Sequence, residues 1–319
     1  MNRKFRKITI AAVFLFLVPY IITVFMNGSH MKKDTNSSLK QVKVQSGNSW
    51  KKVPLEEYFI GILAKEIDVA YEEEALKAQA ILTRTNIYRE ISENKETIFP
   101  GEYMTYREME KAWGKQEAQE IRKRLQKVME ETDEKIVMYE GKPALAPFHR
   151  LSNGSTRDGT EVFGNDSYPY LRKKDCPKDV ESKLELQTLT LTYEEVKEYC
   201  RPFLLAVDKK ESERKFTAED FEITKVDSSG YVIKIRIGGN IYSGEKFREA
   251  LDLPSGCFML QDQEGSLKIT TKGVGHGVGM SQYTANEMAK EGKNCEEILS
   301  YFFEGTERRQ VAEILLNIE

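Results

Sequence analysis

From Lys52 onward the apolar residues fall into a helical rhythm. Leu55, Phe59, Ile62, Leu63 and Glu66 occupy i, i+4, i+7, i+8 and i+11, one face of a 3.6-residue period whose last position carries a carboxylate. A second helix is predicted from about residue 72 to 91. Glu72, Glu73 and Glu74 suit the positive end of its dipole, and Leu76, Ala80, Thr83, Arg84, Ile87 and Ile91 form its inward stripe. Thr105-Tyr106-Arg107-Glu108 reads as a capping box opening a helical region that breaks near Gly114 and continues to Glu131. The pattern then changes. Stretches 135–139 and 144–149 flank Glu140-Gly141-Lys142, and stretches 231–237 and 241–243 flank Gly238-Gly239-Asn240, predicting two hairpins. Further strands are expected within 216–226 and 258–269, and short helices at 194–201 and 245–251. The chain returns to helix at about 282–291 and at 295–303, the latter with Asn294 as N-cap. Helices and hairpins are segregated rather than alternating, which predicts an α+β fold with helical lobes packed around an antiparallel or mixed β core.

The first residues bear on location. Arg3, Lys4, Arg6 and Lys7 precede an uncharged run, Ile8 to Met26, which as a helix would span roughly 28 Å at ~1.5 Å per residue, near the ~30 Å hydrocarbon core. A cleaved secretory signal is the alternative, but such signals are shorter and end in small residues, unlike Phe25-Met26-Asn27-Gly28. The expectation is one transmembrane anchor with its basic end inside and everything beyond residue 27 outside. The chain then divides into a cytoplasmic stub and anchor (1–27), a polar tether (28–49), a folded domain (50–305) and a tail (306–319).

At 319 residues the chain holds one large domain or two modest ones. Its net charge of −3 lacks the basic character expected of a nucleic-acid binder. Four cysteines, at 176, 200, 257 and 295, show no zinc-type spacing. Free buried thiols are the expectation, with disulfides open as the alternative outside the membrane.

Candidate chemistry gathers at a few places. Glycines at 273, 275, 277 and 279 alternate with Val274, His276 and Val278 and lead into Met280-Ser281-Gln282-Tyr283. Such a run is either a tight left-handed turn before a helix or a backbone bed presenting His276, Ser281 and Gln282 to a hydroxyl-rich ligand. Glu66 lies either at the exposed end of its stripe or in a partly dry place that raises its pKa and suits a general acid near neutrality. Arg84, on an inward stripe, either reaches the surface or needs a partner such as Glu66 or an acidic ligand. The segment 149–158 offers His149, Ser152 and other polar groups to sugar hydroxyls. Only His149 and His276 are available in the folded region, so no metal site is expected, and no nucleophile elbow surrounds Ser281.

Taken together, Leu55-Glu56-Glu57-Tyr58 through Glu66, Glu74-Ala75-Leu76-Lys77-Ala78-Gln79-Ala80 with Thr83-Arg84-Thr85, Phe148-His149 with Ser152-Asn153-Gly154, Tyr168-Pro169-Tyr170-Leu171-Arg172, Leu251-Asp252-Leu253-Pro254-Ser255 and Gly275-His276-Gly277-Val278-Gly279-Met280-Ser281-Gln282-Tyr283 resemble the SpoIID/LytB family. The resemblance covers roughly residues 50–305. It implies a lytic transglycosylase acting on peptidoglycan between N-acetylmuramic acid and N-acetylglucosamine, with Glu66 as its single acid/base and no cofactor. Sugar positioning is expected of Arg84, His149, Ser152, His276, Ser281, Gln282 and Tyr283. The implied setting is engulfment of the forespore, in the space between the mother-cell and forespore membranes, alongside stage II sporulation proteins P and M. The other branch of the family implies an alternative, a non-catalytic wall-binding protein that enhances an amidase. Two departures stand out. Glu66-Ile67-Asp68 replaces the family's frequent Glu-Met-Pro, and the extra His and Cys residues with which some members hold zinc near His149 are absent.

Overall fold

The computed structural model describes residues 41–94, 97–184, 186–207 and 214–312. The apolar run 8–26 and most of the polar stretch after it lie outside the described residues. Within them no helix is long and apolar enough to cross a membrane.

The chain enters as a hairpin, β1 (Gln41–Ser46) and β2 (Ser49–Pro54), in a span expected to be tether. Val42 and Val44 alternate with polar neighbours and turn inward with Val53, so the folded part begins before residue 50. Helices α1 (Leu55–Glu66) and α2 (Glu73–Glu93) follow, then β3 (Ile98–Phe99), which pairs in parallel with β1. The capping box forms as expected, with the Glu108 amide donating to Thr105 and the Glu108 carboxylate accepting from the Thr105 amide. It opens α3 (Tyr106–Trp113), and Gly114, at φ 81°, separates this from α4 (Lys115–Glu131).

Helix α2 organises this half of the molecule. It carries buried residues on nearly all sides, including Leu76, Ala80 and Ile87 toward α1 and α4, and Ala75, Ala78, Ile81 and Leu82 toward the C-terminal helices. The single inward stripe expected from sequence is therefore one of two. A helix apolar on opposite faces belongs in the interior, and its alanines allow neighbours on both sides to approach.

The next segment is β4 (Lys135–Tyr139), the short β5 (Lys142–Pro143) and β6 (Phe148–His149). The turn at 140–141 is a hairpin, but its return strand is short, and Phe148-His149 pairs elsewhere. After α5 (Gly159–Phe163) the chain builds a lobe with its own core. This lobe comprises β7 (Leu186–Thr192), α6 (Tyr193–Val207), β8 (Phe221–Val226), β9 (Val232–Ile237), β10 (Asn240–Ser243), α7 (Gly244–Ala250), β11 (Cys257–Gln263) and β12 (Ser266–Lys272). Two three-stranded antiparallel sheets, ordered β10-β9-β8 and β11-β12-β7, enclose Ile235, Ile237, Phe247, Phe258 and Ile269. The chain leaves the lobe through the glycine run, forms β13 (Met280–Ser281) beside β6, and ends in α8 (Gln282–Lys290), α9 (Cys295–Phe302) and β14 (Glu307–Gln310). Strand β14 pairs antiparallel with β4, so the span assigned to a tail is part of the fold through at least Gln310.

The class is α+β, but the expected single β core is replaced by five small sheets among the described residues. The strands are two to seven residues long and scattered along the chain. No sheet is broad enough to form a layer, and the burial falls instead to α2 and to the separate lobe core. The four cysteines form no disulfide, and three of them are buried.

Candidate active site

Glu66 ends α1, and its position follows from the helix period. One face carries Tyr58, Phe59 and Leu63 into the core, and the same face brings the carboxyl inward against α2. Thr83 Oγ1 donates to Glu66 Oε2 at 2.6 Å, and Gln79 Nε2 lies 3.3 Å from the same oxygen. Gln79 also donates to Thr83 at 3.2 Å. Residues 79 and 83 are one turn apart on α2, which lets both side chains meet one acceptor. Gln282, the first residue of α8, completes the set. Its Nε2 donates to Gln79 Oε1 at 3.1 Å and to the Glu66 backbone carbonyl at 2.9 Å, fixing which end of the Gln79 amide faces the carboxyl.

The carboxyl is half-buried, and desolvation dominates its acidity. Burial pushes the pKa up to about 7, partly opposed by the hydrogen bonds from Thr83 and Gln79, which favour the anion. The open side faces a cleft of about 710 Å³ whose walls include Tyr58, Asn86, Ile87, Phe99 and Pro100. Glu90 and Glu102 also line this cleft, but both are exposed, and Glu102 pairs with Lys65 at 3.0 Å. Glu66 is thus a carboxylic acid poised near neutrality at the wall of a groove, suited to giving and taking back a proton.

The other candidates separate into groups. Gln282 belongs to the Glu66 network. Arg84 does not contact Glu66. Its guanidinium donates to the carbonyl of Lys135 at 2.9 Å and to Thr132 Oγ1 at 3.0 Å and lies 5.0 Å from the Phe59 ring centre, so it ties α2 to the 129–135 turn and is buried there. The expectation of a Glu66 or ligand partner for it is corrected: backbone carbonyls provide acceptors without a second charge.

Ser152 and Ser281 are also fully buried, both on Asp179. The Ser152 amide, Ser281 Oγ and Thr284 Oγ1 donate to this carboxylate at 2.6 to 2.7 Å, knitting the 150s loop to the start of α8. Their hydroxyls are consumed by structure rather than offered to a sugar. Tyr283 is half-buried, with its amide donating to the Arg150 carbonyl at 3.1 Å.

The glycine run is a clamp rather than an open bed. Val274 exchanges backbone hydrogen bonds with Leu151 at 3.0 and 2.7 Å, the Gly275 amide donates to Pro254, and the Arg157 amide donates to Gly277. All four glycines have positive φ, and a Cβ on Gly279 would lie 2.0 Å from the Pro147 carbonyl oxygen. His276 and His149 lie within this packing, ring centres 5.9 Å apart. His149 Nδ1 is 3.2 Å from the Val278 carbonyl, and burial pushes its pKa down to about 3. His276 Nδ1 accepts from the Val278 amide at 3.1 Å, and its ring lines a different cavity, of about 350 Å³, with Arg157 and Glu245. Among the described residues Glu66 and His276 therefore line separate spaces. Gln282 is what connects the late glycine segment to the carboxyl. Among the described residues no three His, Cys, Asp or Glu side chains are disposed to hold a metal ion.

Sequence reasoning missed Gln79 and Thr83 as members of the site. Their signal was a pair of polar residues one turn apart among the buried positions of α2.

Comparison with known proteins fits this geometry into a family. The model for SpoIID, stage II sporulation protein, matches residues 44–139, the span that holds Glu66, Gln79 and Thr83. Over 273 residues the chain is 34% identical to stage II sporulation protein D of Bacillus amyloliquefaciens, covering 82% of this chain and 76% of that one. The chain belongs to the SpoIID family. A second SpoIID relative, stage II sporulation protein D of Bacillus subtilis (strain 168), is 32% identical over the same shares of the two chains. The amidase enhancer of Bacillus subtilis (strain 168) is more distant, at 25% identity over 77% of this SpoIID chain and 39% of its own.

Proposed function

We propose that this SpoIID protein is a peptidoglycan lytic transglycosylase whose one acid/base is Glu66. Family membership supports a sporulation role related to the cell wall, and the reaction is inferred from the site. The observation that carries it is a half-buried carboxyl at the wall of a cleft, fixed by two donors from one helix, whose burial pushes its pKa up to about 7. In the proposed reaction Glu66 protonates the oxygen between N-acetylmuramic acid and N-acetylglucosamine as the C–O bond breaks. An oxocarbenium-like centre forms on the muramoyl C1. The Glu66 carboxylate then takes the proton from the muramoyl C6 hydroxyl, whose oxygen closes onto C1 to give a 1,6-anhydro ring and returns the acid to its starting form. One carboxyl suffices because no water is activated, whereas most glycosidases need a pair.

The proposal includes the setting. The run 8–26 anchors the protein with its folded part outside the membrane, between the mother-cell and forespore membranes, where it acts on glycan strands alongside stage II sporulation proteins P and M. The likeness to an amidase enhancer favours a second reading, a glycan-binding protein that cuts nothing. Digestion of purified glycan strands with the full-length protein separates the two. New 1,6-anhydro-muramoyl ends support the enzyme; glycan that pellets with the protein uncut supports the binder.

Catalysis that starts from the protonated acid gives kcat/KM that is level at low pH and falls as pH rises through about 7. Thr83→Val removes a donor that favours the anion, so the limb should move to higher pH by roughly one unit. A limb unmoved in that variant would mean that another group governs the profile.

A further inference from the structure

The segment Tyr168-Pro169-Tyr170 and the turn Glu140-Gly141-Lys142 take no part in the Glu66 cleft. They meet over another cavity, of about 910 Å³. Helix α2 is common to both spaces: Thr83, Asn86 and Glu90 line the cleft, and Arg89, Ser92 and Glu93 line the cavity. From Thr83 to Ser92 the helix advances about 13 Å, comparable with a short oligosaccharide. Asn86 pins this stretch in place, its side-chain amide exchanging hydrogen bonds of 3.0 and 3.2 Å with the backbone of Ala146.

The lining offers tyrosine faces among charges of both signs, Glu93, Glu140 and Glu307 alongside Arg89, Lys142 and Arg309. Tyr139 and Tyr168 are half-buried, and both pack on Tyr170, with ring centres at 4.8 and 6.3 Å. Tyr170 is buried, its hydroxyl held by the Leu145 backbone at 2.8 Å, so it serves as a wedge that sets the tilt of the other two rings. Half-exposed tyrosines of fixed tilt offer apolar faces to the C–H side of a pyranose and hydroxyls to its rim. Of the three cations, Arg89 is committed, 2.9 Å from Glu93 and over the Tyr168 ring at 5.6 Å, and Arg309 pairs with Glu307 at 2.8 Å. Lys142, on the exposed turn at the mouth, has no ion-pair partner among the described residues. Its ammonium is available to an anion entering the cavity.

We infer that this cavity is a remote subsite for a carboxylate-bearing sugar of the same strand whose bond is cut at Glu66, with Tyr168 and Tyr139 as the platform and Lys142 as the carboxylate's partner. The inference rests on the proposed function for its polymer. The carboxylate belongs either to the lactyl group of a bare muramoyl residue or to an attached stem peptide, and Lys142 reads the charge common to both.

The test measures binding to full-length protein carrying Glu66→Gln, so that nothing is consumed. The probes are bare muramoyl-containing oligosaccharides, peptide-bearing strands and neutral chitooligosaccharides. Lys142→Gln should weaken binding of a carboxylate-bearing probe by about 2- to 5-fold, leave the neutral probe unchanged and be rescued by Lys142→Arg. Tyr168→Leu should weaken all probes by about 3- to 10-fold. A Lys142 effect confined to peptide-bearing strands supports the subsite and assigns the carboxylate to the peptide. Equal weakening of charged and neutral probes by Lys142→Gln, or unchanged affinity in both variants while wild-type protein still cuts glycan, overturns the subsite and spares the proposed reaction. Wild-type protein that neither binds nor cuts glycan overturns both. Lys142 is exposed, so its variants keep the test decisive even if Tyr168→Leu fails to fold.

Discussion

Glu66→Gln is expected to lower glycan cleavage by about 10²- to 10⁴-fold, the usual worth of a positioned general acid, while glycan binding persists. The amide keeps the shape of the carboxyl but has no proton to give. The same substitution should stabilise the fold, and the pH dependence of that gain is specific. In the folded protein Glu66 keeps its proton up to about pH 7, whereas the unfolded chain loses it near 4.5. The folded state therefore binds more protons between those values, and wild-type stability falls as pH rises through that window. At pH 8 the variant should be more stable than wild type by on the order of 2–3 kcal/mol, and at pH 4 the difference should vanish. Denaturant unfolding at the two pH values measures this directly. A stabilised protein that no longer cuts is the behaviour of a functional acid, because a structural carboxylate would lose stability when replaced.

The largest structural effect is expected at Gly279→Ala. Residue 279 has φ 73°, and the added methyl would meet a backbone oxygen 2.0 Å away, which cannot rotate aside. Left-handed strain and overpacking together should cost about 3–5 kcal/mol. The lost packing joins β13 to β6 and sets the start of α8, so Gln282 would be displaced from Glu66 and Gln79. Gly265→Ala makes the comparison. It too has positive φ, but nothing lies within 4 Å of the site of its Cβ, so about 1–2 kcal/mol is expected. Equal losses in the two variants would show that the glycine run is not held by contact.

Much of this was legible in the chain. Period-3.6 spacing put Glu66 on the buried face of α1, and the capping residues Thr105 and Asn294 marked helix starts found in the structure. Gly238-Gly239-Asn240 marked the β9–β10 hairpin. What escaped did so for identifiable reasons. The alternation of Val42 and Val44 is short and sits among polar residues, so β1 resembled linker. Helix α2 buries opposite faces, and a single-stripe reading left the tasks of Gln79, Thr83 and Arg84 undecided. Ser152 and Ser281 had the composition of ligand donors, yet the Ser152 hydroxyl accepts from the Gly154 amide and the Ser281 hydroxyl donates to Asp179, a partner about one hundred residues from Ser281 that no local pattern reveals. The glycine run was correctly singled out, but its spacing could not distinguish a surface that receives a ligand from one that receives the 147–157 segment.

The central claim is the state of one proton. Carbon-13 NMR titration of the Glu66 side chain in the full-length protein, assigned by its loss in Glu66→Gln, reads that state directly. A midpoint near pH 7 is the result the account predicts. A midpoint near 4.5 would mean a solvated carboxylate, already ionised at neutral pH and without the proton that the proposed reaction requires.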